Sequence, residues 1–248
     1  VCGCSLARDL TPRAPAMFIS FEGIDGSGKS TQARRLASAL RDAGRHVTLT
    51  REPGGSPGAE EIRRLLLTGE PDRWSATTEI LLFTAARRDH VERTIRPALA
   101  RGEVVITDRF ADSTRLYQGL SRHGGAPMRA LVDDLHARVI GIEPDVTFVI
   151  DLDPDVGLAR SLRRLAGSEG AEAAAGAAEP VPSARDPTDP PTGGPVPEDR
   201  FETFGPLFQQ RLRAAFLDLA ARHPSRVRLI DGSGSADAVA GRVRAALA

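Results

Sequence analysis

Met17–Thr31, MFISFEGIDGSGKST, decides the fold. Met17 to Glu22 reads as a short buried strand, and Ser30 to Ala43 reads as a helix with Ala33, Leu36, Ala37 and Leu40 on one face. Between them, Gly23-Ile24-Asp25-Gly26-Ser27-Gly28-Lys29-Ser30 is a full match to the phosphate-loop pattern G-x-x-x-x-G-K-[ST]. Strand, glycine-rich turn and helix N-terminus together aim backbone N–H groups and the positive end of a helix dipole at an anion. Gly23 to Thr31 is therefore expected to hold nucleotide phosphates. Lysine usage agrees. Lys and Arg number 33 together, and Lys29 is the only lysine among them. A compact ammonium reaching β- and γ-phosphates does a job that a planar guanidinium does badly, so geometry overrides composition at this position.

Composition bounds the rest. At 248 residues and 41% apolar content, the chain can bury one substantial α/β core or two small ones. Its net charge of zero offers no global field to nucleic acid or to an anionic membrane. Few aromatics and no basic stripe argue further against a nucleic-acid-binding ATPase. No apolar run approaches the roughly 18 residues that span a bilayer. Residues 1–16 lack the apolar core of a signal peptide, so the expected location is cytoplasmic. Cys2 and Cys4 form a C-x-C with no second ligand pair. The leader 1–16 is expected to be a disordered extension, with Met17 a candidate functional start.

Strand and helix patterns alternate, which predicts a parallel sheet covered by helices. Strands are expected at 17–22, 46–50, 103–107, 146–151 and 226–230. Helices are expected at 30–43, up to Leu67, 77–100, 113–120, 126–140, 154–166, 201–223 and from 235. Gly167 to Glu198 breaks the rhythm. It is rich in Ala, Gly, Pro and Glu and cannot bury enough surface to offset its ordering entropy, so a mobile loop is expected. Such a length fits a lid or a spacer.

Three segments narrow the chemistry. A chain whose only lysine lies in the phosphate loop has no N-K-x-D, which argues against a guanine-reading GTPase. DRFADSTRLYQG, 108–119, follows a buried strand at the sheet edge where open α/β sheets bind ligands. Its acid, arginine, hydroxyl pair, aromatic and amide make a mononucleotide cradle. In LLFTAARR, 81–88, Phe83 and Arg87 are four apart and share a helix face. A ring there can stack on a base while a guanidinium grips the attached phosphate. Read alone, Phe83 also suits a core position.

FEGIDGSGKSTQ, TREPGG, LLFTAAR and DRFADSTRLYQG, in this order, resemble the signature of bacterial thymidylate kinases. EPDVTFVIDLDPDVGLAR and the EDRFE–helix segment extend the likeness over 17–166 and 198–247. The resemblance implies a three-layer α/β P-loop NTPase fold, with a parallel five-stranded sheet and helices on both faces. It implies a single domain over 17–248, a lid about 154–200 carrying the 167–198 insertion, and a homodimer built through the apolar face of 77–96. It also implies phosphoryl transfer from ATP–Mg²⁺ to dTMP.

Residue by residue, Lys29 would act at the transferring phosphate and Ser30 on Mg²⁺. Asp25 would orient the acceptor near its sugar hydroxyl, and Phe83 would stack on thymine. Arg87 and Arg109 would clamp the monophosphate, with Arg51 nearby. Ser113, Thr114, Tyr117 and Gln118 would complete the pocket. Asp108 is the first candidate for the second metal residue, with Asp151 and Asp153 as rivals and a structural Asp-Arg turn as the other reading. Some relatives carry an arginine in the phosphate loop where this chain has Gly26. Here Arg160 and Arg164 are expected to supply the catalytic arginine instead, with Arg200 next. Three rival readings stay open: a kinase of another nucleotide, a deoxynucleoside kinase, and a regulatory module that binds ATP without turnover.

Overall fold

The computed structural model describes residues 15–69, 73–120, 125–165 and 205–247, without the side chains of 164 and 165. Most of the leader, the 167–198 insertion, Arg200, the Arg164 side chain and the expected helix start at Phe201 lie outside the described residues.

The chain alternates strand and helix, as its periodicity predicts. β1 (Met17–Glu22) leads through the phosphate loop into α1 (Lys29–Asp42), and β2 (Val47–Arg51) is followed by α2 (Pro57–Leu67) and α3 (Ala76–His90). A π-helical turn (Val91–Ile95) continues α3 into α4 (Arg96–Ala100). Next come β3 (Val104–Asp108), α5 (Ala111–Leu120) and α6 (Ala126–Leu135), the last extended by a second π turn (His136–Ile140). β4 (Val146–Asp151), α7 (Pro154–Leu165), α8 (Pro206–Arg222), β5 (Val227–Asp231) and α9 (Ala236–Leu247) complete the order.

The five strands run in the order β2-β3-β1-β4-β5, every neighbouring pair parallel. β1 lies in the middle, and its side chains alternate between two buried faces, as a covered parallel strand requires. Ile19 and Phe21 pack with Ala33, Leu36 and Ala37 of α1 and with Val239 and Val243 of α9. Phe18 packs on the opposite face with Val91, Ile95, Ala98 and Phe110. Ile24 of the phosphate loop joins Leu116, Leu212 and Phe216 in a third cluster, which ties the loop to α5 and α8. The sheet thus lies between helices on both faces, the three-layer arrangement expected from sequence.

The helix expected over 77–100 runs from Ala76 to Ala100 without a gap, but it is not α-helical throughout. Pro97 stands in the first turn of α4 and has no N–H to donate back to the preceding turn, and the ladder widens into the π turn just before it. The helix expected over 126–140 also ends in a π turn, closed by Gly141 in the left-handed region (φ 62°). The topology carries Glu22, Arg51, Asp108 and Asp151, the last residues of four strands, to one edge of the sheet.

Candidate active site

The phosphate loop leaves β1 at Glu22 and delivers α1 at Lys29, so the free amides of the first helical turn face the loop's concave side. Gly26 and Gly28 adopt φ of 72° and 97°, a region that side chains rarely occupy. Lys29 is buried, and its ammonium donates to the Ile24 carbonyl (2.7 Å). Burial, reinforced by Arg109, pushes Lys29 down from 10.5 to about 8, while Asp25, Asp108 and Glu22 pull the other way. Incoming phosphate oxygens would favour the charged form.

Asp25 and Arg109 form the wall opposite. Arg109 donates through Nη2 to Asp25 Oδ1 and to the Tyr117 hydroxyl (3.1 Å), and through Nη1 to Ser113 Oγ (2.9 Å) and the Gly23 carbonyl (3.4 Å). Its guanidinium carbon lies 5.1 Å from the centre of the Tyr117 ring. Arg109 sits at φ 71°, the only described non-glycine residue with positive φ, at a cost of about 1 kcal/mol. That conformation turns the end of β3 back towards the phosphate loop. Asp25 also accepts from Tyr117 (3.0 Å) and from Gln209 Nε2 of α8 (3.2 Å). Burial alone would raise the Asp25 pKa, but Arg109 and Lys29 outweigh it and hold the carboxyl below its usual value.

Two buried carboxylates set the shape of this wall. Glu22 accepts from Phe110 N (2.8 Å), Ser113 N (3.3 Å) and Ser113 Oγ (2.5 Å), so it anchors the first turn of α5. This explains why α5 starts at Ala111 and not near 113. Glu52 joins β2 to α3: it accepts from Arg87 Nε (2.7 Å) and contacts His90 Nδ1 (3.0 Å). His90 Nε2 reaches Thr50 Oγ1 (2.8 Å), and Arg87 Nη2 donates to Thr114 Oγ1 (2.8 Å). The Arg87 charge is thus neutralised by buried Glu52 at 2.7 Å, while Arg51 pairs more loosely with the partly exposed carboxylate of Glu60. Arg51 reaches Glu60 only at 3.3 Å, and its buried Nε has no hydrogen-bond partner. Arg87 is buried while its neighbour Arg88 is half-exposed and pairs with Glu92, which agrees with the register read from LLFTAAR. Phe83 is half-buried on α3. Ser113, Thr114 and Gln118 are buried, with Gln118 donating to Glu79 (3.2 Å).

Ser30 Oγ donates to Asp108 Oδ2, and the other oxygen, Asp108 Oδ1, is buried without a hydrogen-bond partner. A hydroxyl beside a carboxylate with an unused buried oxygen is a donor set of the kind Mg²⁺ takes, directly or through its waters. The rivals fare differently. Asp151 is gripped by Arg213 through two bonds (2.6 and 2.9 Å), and Asp153 is exposed. Arg160 is half-buried on α7. Glu22, Glu52, Gln209 and Arg213 were not singled out by sequence. A lone acid in an apolar strand was the available signal for Glu22, and nothing local marks Gln209 or Arg213.

A parallel sheet with a phosphate loop off its central strand, and a second arginine-lined cradle on the adjacent strand, defines a P-loop kinase of a small phosphorylated acceptor. A family model described as thymidylate kinase matches residues 21–174, and the chain belongs to the thymidylate kinase family. It is 59% identical over 227 residues to the thymidylate kinase of Ruegeria pomeroyi, covering 92% of each chain. It is 58% identical to that of Dinoroseobacter shibae, covering 88% of this chain and 90% of the relative. Among solved structures, the thymidylate kinase of Ehrlichia chaffeensis superposes with a TM-score of 0.65 at 32% identity, covering 95% of this chain and all of that one.

Proposed function

We propose that this protein transfers the γ-phosphoryl group of ATP to the 5′-phosphate of dTMP, forming dTDP and ADP. The observation that carries the reading is Arg109. It bonds the phosphate-loop carbonyl of Gly23 and the side chains of Asp25, Ser113 and Tyr117, so donor and acceptor sites share one wall. In the reaction an acceptor phosphate oxygen attacks the γ-phosphorus while the bond to the β–γ bridging oxygen breaks, and ADP leaves with that electron pair. The nucleophile is already an anion, so positioning and charge neutralisation supply most of the rate. Lys29 and the amides of Gly23 to Thr31 hold the donor phosphates. Arg109 and Arg51 hold the acceptor phosphate. Asp25, fixed by Tyr117 and Gln209, accepts from the acceptor sugar. Phe83 stacks on the base, and Ser113, Thr114 and Gln118 line the pocket.

Arg87, neutralised by Glu52, is better suited to donating one hydrogen bond to a neutral group of the acceptor than to clamping its phosphate. Mg²⁺, held by Ser30 and Asp108, would neutralise charge on the donor phosphates. The transition-state arginine is assigned to Arg160, with Arg164 as its alternative. The need for ATP assigns the work to the cytoplasm, and among the described residues no helix is long and apolar enough to cross a membrane.

Two copies are proposed to pair through α3. An open depression of 410 Å³ there is lined by Leu81, Ala85, Arg88, Glu92, Leu135 and Val139, among others, and Leu81 is exposed.

The test is ADP formation with ATP–Mg²⁺ and, in turn, dTMP, dUMP, dGMP, dCMP, AMP, UMP and thymidine. Turnover with dTMP well above the rest is expected. A different preferred acceptor would overturn the pocket assignment, and ATP binding without acceptor-dependent turnover would favour a regulatory module.

A further inference from the structure

The first turn of α7 lies on the phosphate loop backbone to backbone, through two glycines. A Cβ placed on Gly26 would stand 2.0 Å from the carbonyl oxygen of Gly157. One placed on Gly157 would stand 2.7 Å from the Asp25 carbonyl oxygen and 3.1 Å from Ile24 Cδ1. Both nearest atoms belong to the backbone and have no rotamer by which to move aside. Gly157 is buried, and its amide donates to the Asp153 carbonyl (2.9 Å) in the opening turn of the helix. Its φ is outside the left-handed region, so close approach and not conformation demands the glycine. Alanine is the better helix former here by about 1 kcal/mol, which makes glycine an unfavourable choice unless the contact matters.

The contact also fixes the next turn of the helix. Arg160 and Ser161 lie three and four residues after Gly157, on the same side of α7. Ser161 is buried, and Arg160 is half-buried, with no hydrogen bond or ion pair among the described residues. The helix face that rests on the phosphate loop is thus the face that carries Arg160. With α7 seated in this way, no side chain fits at position 26, so an arginine cannot come from the phosphate loop itself.

We propose that Gly157 is a positioning residue: its bare backbone seats α7 on Asp25–Gly26 and so sets the height of Arg160 over the donor phosphates. This rests on the reading of Arg160 as a donor-side arginine. The test is a double-mutant cycle in the full-length enzyme with Gly157→Ala and Arg160→Ala. Gly157→Ala is expected to lower kcat at least ~30-fold, with dTMP affinity in the absence of ATP held within ~3-fold. The new methyl meets the Ile24 side chain and only the main-chain carbonyl of Asp25, whose carboxylate is held separately by Arg109, Tyr117 and Gln209. Arg160→Ala is expected to lower kcat by ~10³-fold. In that background Gly157→Ala should cost almost nothing further, because the two act as a unit.

A Gly157→Ala enzyme within ~3-fold of the parent in kcat overturns the proposal. So does a loss that is fully additive with Arg160→Ala, which would mark a general distortion of the phosphate loop. A Gly157→Ala chain that does not fold, shown by circular dichroism, makes the glycine a folding requirement and also overturns it. An Arg160→Ala loss below ~10-fold removes instead the reading of Arg160 on which the proposal stands.

Discussion

Glu22 is fully buried, and its environment moves its titration towards neutral pH. Burial, and then Asp112, raise it from the usual 4.5 to about 7, with Ser113, Arg109 and the Phe110 amide opposing. Between those two values the folded chain holds a proton that the unfolded chain has released, so stability falls as pH rises through about 7. Glu22→Gln is isosteric with the protonated acid. It should match the parent in unfolding free energy near pH 4 and exceed it by ~3 kcal/mol near pH 8, a gap that urea unfolding at the two pH values measures. Parallel pH curves for the two proteins would show that Glu22 does not titrate in this range. Sequence could place Glu22 at the end of a strand but could not show its three hydrogen bonds, which all come from residues some ninety positions away. Asp25, Arg109, Ser113 and Tyr117 were legible because their motifs sit on the two turns that the sheet edge brings together. Gln209 was not, because its glutamine lies on an ordinary amphipathic helix and meets Asp25 only through the fold.

Among the elements, β2, α3 and α5 are joined by a buried polar chain that runs from Thr50 through His90, Glu52 and Arg87 to Thr114. TREPGG, LLFTAAR and DRFADSTRLYQG supply Thr50, Glu52, Arg87 and Thr114, but His90 lies beyond these motifs, and only Arg87 and Thr114 were expected as site residues. Periodicity reports which face of an element is apolar and says nothing about which polar groups meet across elements. It also missed the π turn before α4, although Pro97 was there to signal a disturbed hydrogen-bond ladder. The chain has an energetic consequence. The Glu52 and Arg87 side chains are only 3% and 4% exposed, so removing one leaves the other charged and dry. Glu52→Ala should cost ~3–5 kcal/mol of stability, read as a lowered urea midpoint. Breaking the exposed pair of Asp134 and Arg138 on α6 and its π turn, by Arg138→Ala, should cost nothing measurable. Equal effects of the two variants would mean that water reaches Arg87 freely.

For the whole molecule, the alternation of strands and helices foretold a parallel α/β sheet, but the order β2-β3-β1-β4-β5 depends on long-range pairing that no local pattern encodes. Assembly is a further step outward. Along α3 and the π turn, Leu81, Ala85, Arg88 and Glu92 recur at helical spacing on one stripe, and Leu135 and Val139 flank it from α6 and its π turn. Leu81 is 51% exposed there, and the proposed pairing would cover it with the same stripe of a second copy. Phe83 and Arg87 project from other sides of the same helix, so a partner clamped on the stripe would stiffen the acceptor pocket from behind. Leu81→Asp would place a carboxylate at the centre of the proposed contact on both copies at once. The dissociation constant should rise at least ~100-fold, turning a dimer into a monomer at micromolar concentration by light scattering, while the far-ultraviolet circular dichroism is retained. Acceptor KM should rise as well, because the helix loses its support. A parent protein that is already monomeric, or a Leu81→Asp protein that stays dimeric, would place the pairing surface elsewhere.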